Sequence, residues 1–85
     1  MKIENADRRA LCSAASILVT SEPFQEAAKH VELVLNKELL AGKTPESREQ
    51  KFQEYHGLRR MIARLTTLNG EWQQHLEAEK QEPNG

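Results

Sequence analysis

In the stretch "HGLRRMIARL", His56, Arg60 and Arg64 recur every fourth residue, with Arg59 beside them. On a helix this spacing stacks the side chains into one basic ridge. The chemistry open to such a ridge is recognition of an anion, because a guanidinium fork matches phosphate or carboxylate with two parallel hydrogen bonds. Like charges so spaced repel by roughly 0.2–0.5 kcal/mol per pair in an isolated helix, so a negative group is expected opposite them. Glu22, Glu26, Glu32 and Glu38 of the preceding segment are the internal candidates. A phosphate, a nucleotide or an acidic protein surface is the external one. Gly57 sits in the same stretch. A glycine inside a helix costs roughly 1 kcal/mol relative to alanine, so the expectation is close approach of another helix, from the N-terminal segment or a second subunit. His56, Gly57, Arg59, Arg60 and Arg64 are therefore candidate contact or anion-binding residues. Trp72 joins them, as an aromatic at the edge of an apolar stripe that suits either an interface or the end of a core.

Other reactive types are poorly placed for catalysis. His30, His56 and His75 are scattered, and no cysteine–histidine set has zinc-ligand spacing, so neither a metal nor a cofactor is expected. Cys12 has no histidine or acid placed near it in sequence to activate it, and it reads as a small packed hydrophobe. No enzyme signature surfaces. Asp7, Arg8 and Arg9 form a second charged cluster, whose arginines suit solvent or a pairing across an interface. A net charge of −1 provides no field for nucleic acid, and no helix-turn-helix pattern is present, so DNA binding ranks last.

The elements that position these residues are helical throughout. At 85 residues the chain makes one small domain whose stability is thin or shared with a partner. Its 38% hydrophobic residues are mostly Leu, Ile, Val and Ala, which pack well between helices. The single cysteine excludes an internal disulfide. No signal-like or membrane-spanning apolar run is visible, which points to a cytoplasmic setting.

Residues 1–20 form an N-terminal helical segment with an apolar stripe of Ile3, Ala10, Ala14 and Ile17, flanked by Leu11 and Leu18. Ser21 then caps a second helix over about 22–41, with Glu22 and Pro23 in its first turn and a stripe of Phe24, Ala28, Val31, Leu35 and Leu39. Gly42 closes it. Thr44 and Pro45 begin a third helix over about 45–69 or longer, carrying Phe52, Tyr55, Leu58, Ile62, Leu65, Leu68 and Trp72 near heptad spacing. Asn69-Gly70 marks either its end or a passage through to about residue 80, and 81–85 have the composition of a disordered tail. The short connection makes residues 21–80 an antiparallel helical hairpin. Leu33, Val34, Leu40, Met61 and Leu68 lie beyond its seam and require a third surface, supplied by the N-terminal helix or by a second copy. The fold expected is all-α, a hairpin with a third, N-terminal helix, completed by oligomerisation.

The combination of "SEPF", "GKTPE" and "QEYHGLRRMIARL" resembles small helical-hairpin accessory or virion-associated proteins of tailed bacteriophages, through Ser21, Phe24, Pro45, Glu46, Gln53, Gly57, Leu58, Ile62 and Leu65. The likeness spans Ser21 to Trp72 and implies a viral protein of the host cytoplasm or virion that acts through protein contacts. It implies no catalytic residue. The function expected is a homo-oligomeric protein–protein interaction module. The alternative is an oligomer that sequesters a small anionic ligand, such as a nucleotide second messenger, along the His56, Arg60 and Arg64 ridge.

Overall fold

A computed structural model describes residues 1–81, which form three helices: α1 (Ala6–Val19), α2 (Glu22–Ala41) and α3 (Pro45–Gln81). The helices begin where local chemistry supplies a cap. Asn5 accepts from the Arg8 amide at 2.9 Å, Ser21 from Phe24 at 3.4 Å, and Thr44 from Ser47 at 3.1 Å. Each cap thus satisfies an amide that has no partner within its helix. Between α1 and α2 the chain is interrupted by Pro23, whose missing amide leaves the Val19 carbonyl without its helical donor. The side-chain amide of Gln25 fills that place at 3.0 Å. Gly42 ends α2 at φ −60°, so left-handed backbone is not what selects it. A Cβ there would meet Cγ of Arg48 at 2.5 Å, so any side chain at residue 42 would force Arg48 to move.

Both α1 and α2 run antiparallel to α3. Ile3 lies beside His75 and Arg8 beside Glu71, whereas Glu32 lies beside Arg59 and Glu38 beside Lys51. The hairpin therefore has one arm of two successive helices, 14 and 20 residues long, laid along one unbroken helix of 37. Its dimensions of 66 × 22 × 16 Å are those of a rod two helices wide. The N-terminal helix covers the far half of α3 and does not supply a third layer over the α2–α3 pair. Asn69-Gly70 does not end α3, because α1 packs alongside the residues beyond it and buries His75. Of the expected tail, Gln81 is helical and residues 82–85 lie outside the described residues.

The buried faces differ from the apolar stripes in two places. On α1 the covered side is Cys12, Ala15 and Ser16, while Leu11, Ile17 and Leu18 are exposed, and Ile3 precedes the helix altogether. On α2 the inward position expected for Val31 is taken by Glu32, and Val31 joins Leu33, Val34 and Leu40 on the surface. A two-helix contact encloses only its central seam. Leu35 is buried there, and Phe24, Leu58, Ile62 and Leu65 are half-buried. Phe52, assigned to the seam by its spacing, is 43% exposed.

Candidate interaction surfaces

His56, Arg60 and Arg64 lie on the exposed side of α3, and Arg59 lies at the edge of the contact with α2. Of these four basic residues, Arg59 alone finds an internal acid: its Nη1 donates to Glu32 at 3.0 Å, and the same carboxylate oxygen accepts from the Tyr55 hydroxyl at 3.2 Å. The Arg59 guanidinium also sits 5.9 Å from the Tyr55 ring centre, a cation–π distance. His56 packs edge-on against Phe52 with ring centres 4.5 Å apart. Arg60 and Arg64 are exposed and make no ion pair or hydrogen bond among the described residues. The internal acids of α2 thus neutralise one arginine of the three. From Tyr55 to Gly70 the chain has no Asp or Glu at all, so this length of α3 presents uncompensated positive charge.

Gly57 has open space on its side of the helix: nothing lies within 4 Å of where a Cβ would be. Close packing against another helix of the same chain, expected from the sequence, is absent among the described residues. Neither the α1 crossing nor a kink accounts for it, since α3 continues as one helix.

Trp72 is half-buried and stacks on His75, ring centres 5.2 Å apart and planes 28° from parallel. It closes the end of the core and stands apart from the ridge. Around it lies a polar cluster that inspection of the sequence does not bring together. Arg8 grips Glu71 with two hydrogen bonds of 2.7 and 2.8 Å, and the Cys12 thiol donates to the same carboxylate at 3.2 Å. Both donors favour the ionised carboxylate and hold Glu71 down to about 2, the Arg8 bonds contributing most. Burial pushes the Cys12 thiol up, and the Glu71 charge pushes it further, so the thiolate needed for nucleophilic chemistry is disfavoured. His75, 2% exposed, accepts the Ile3 amide on Nδ1 and donates from Nε2 to Glu79, each at 2.9 Å. The pattern places the ring's N–H on Nε2, towards Glu79. The signal for the cluster was present as two i, i+4 pairs, Arg8/Cys12 and Glu71/His75, on helices whose pairing the sequence left open.

No group of three metal-ligating side chains occurs among the described residues, and no helix there is long and apolar enough to cross a membrane. Two shallow cavities of about 370 and 440 Å³ flank the α2–α3 connection, the first lined by Leu39, Pro45, Arg48, Glu49 and Phe52. Comparison with family models, with curated proteins and with solved structures returns no match.

Proposed function

We propose that this protein is a non-enzymatic protein–protein interaction module that works as a homo-oligomer. The observation that carries this is its surface. A folded monomer of 9.7 kDa exposes about 5,100 Å² by the general scaling of area with mass, whereas this chain exposes 6578 Å². The excess, on the order of 1,000–1,500 Å², is what each subunit of an obligate dimer covers. Much of it is apolar: Leu11, Ile17, Val31, Leu33 and Met61 are all more than 40% exposed, while Ile3, Cys12, Ala15 and Leu35 are the buried hydrophobic residues. The resemblance to phage hairpin proteins supplies the setting proposed for it, an accessory or virion-associated protein, or a modulator of a host factor. Light scattering coupled to size exclusion, at micromolar concentration and again after tenfold dilution, is expected to give an oligomer at both. A mass of one chain at both concentrations overturns the proposal.

The unpaired Arg60 and Arg64 favour one second reading, an oligomer that sequesters a small anion such as a nucleotide. A ligand at one hundred times its Kd stabilises the folded state by about 2.7 kcal/mol, and each kcal/mol moves the midpoint of a domain this size by roughly 4–8 °C. A nucleotide panel that leaves the melting temperature unmoved eliminates this reading.

A further inference from the structure

Along α3, beside the seam that α2 occupies, runs a second stripe: Glu54, Gly57, Met61, Arg64 and Leu68, at spacings of 3, 4, 3 and 4. That is the repeat of a helix–helix seam, and from Glu54 to Arg64 it is exposed, Leu68 alone being half-buried. Its side of the hairpin is fixed by Lys51, which bridges Glu38 of α2 at 2.8 Å and Glu54 of α3 at 3.4 Å. On the α2 arm the same flank carries Val34 and Val31, one and two turns before Glu38, which are 39% and 45% exposed. Met61 is 48% exposed and Gly57 has open space beside it.

We propose that this stripe is the contact between two copies of the chain, packed as antiparallel α3 helices about a two-fold axis midway between Gly57 and Met61, so that Met61 of each copy enters the gap left by Gly57 of the other. The proposal rests on the self-association proposed above and assigns it a surface. The order of residues is self-complementary, as an isologous contact demands. With the axis there, Met61 faces Gly57, and Arg64 faces Glu54, each contact made twice. Arg64 has no internal acid among the described residues, and the Glu54 carboxylate shares its lysine with Glu38, so the charges across the contact are complementary. The glycine and the unpaired arginine then have one cause. A side chain at residue 57 would fill the space that the partner's methionine takes, and Arg64 would find its acid in the other subunit. The α2 valines flank the crossing and extend the buried area towards that of a stable dimer.

Four variants and a control test this by sedimentation equilibrium, with circular dichroism confirming helicity. Met61→Lys should give a helical monomer at concentrations where the parent is dimeric. Gly57→Leu should raise the dimer Kd by roughly tenfold or more, because the gap is filled, while Gly70→Leu, also open within the chain, leaves it unchanged. Arg64→Glu should weaken association by roughly tenfold or more through two like-charge contacts, and Glu54→Arg combined with Arg64→Glu should restore much of that loss. An oligomer whose Kd is unmoved by Met61→Lys, Gly57→Leu and Arg64→Glu overturns the assigned surface and leaves self-association standing. A parent that is monomeric throughout overturns both.

Discussion

His75→Ala is expected to lower the melting temperature by about 12–24 °C. The imidazole is 2% exposed, and removing it opens a cavity between the start of the chain and α3. It also takes away the acceptor of the Ile3 amide at 2.9 Å and the ring that stacks on Trp72. Truncating a buried ring to alanine costs about 3–5 kcal/mol, and a chain of this length has a total stability of roughly 4–13 kcal/mol. Taking about 3 kcal/mol, because the lead-in to α1 can relax into part of the space, gives the stated shift at 4–8 °C per kcal/mol. His75→Phe separates the contributions. It keeps the ring and the stacking on Trp72 but leaves the Ile3 amide without its acceptor, and should fall between the parent and alanine. Thermal unfolding followed by circular dichroism decides the matter. A shift below about 5 °C for His75→Ala would show that the lead-in segment is not anchored by this residue.

The three helices and the antiparallel hairpin were legible because each rests on local chemistry. Ser21 with Pro23 and Thr44 with Pro45 set two starts directly. What stayed hidden depends on which helix lies beside which. The α1 stripe of Ala10, Ala14 and Ile17 has good helical spacing, yet α1 meets α3 through Cys12, Ala15 and Ser16. Small residues on that side allow the close approach that brings Arg8 and Cys12 onto Glu71, and hydrophobicity alone does not report it. Glu32 was hidden in the same way: it takes the inward position in place of Val31, where Tyr55 and Arg59 across the pair both offer it hydrogen bonds. The ridge was visible as a spacing, but whether α2 would neutralise it depended on register. The register gives Glu32 to Arg59 and Glu38 to Lys51, which leaves Arg60 and Arg64 outward.

The acid limb of stability should belong largely to Glu71. Its carboxyl, ordinarily near 4.5, is held down to about 2 by Arg8 and then by the Cys12 thiol. A folded-state pKa lowered in this way contributes stability that is fully present above the unfolded value and disappears as pH falls through the folded one. The melting temperature should therefore fall steeply between about pH 4.5 and pH 2. Glu71→Gln keeps an oxygen to accept from Arg8 but has no proton to gain, so this variant should melt lower than the parent at pH 7 and lose less on acidification. The two curves then converge near pH 2. Acid limbs that stay parallel would exclude Glu71 as the linked group. The loss should also be local at first. Apart from this cluster and the His75 anchor, α1 is held to α3 mainly by Ala15 and Ser16, whereas α2 retains Leu35 and the Glu32–Arg59 and Glu38–Lys51 pairs. Hydrogen exchange near pH 3 should release the α1 amides before those of α2. Release of both helices together would mean that the two halves of the rod unfold as one unit, with α3 carrying the coupling between them.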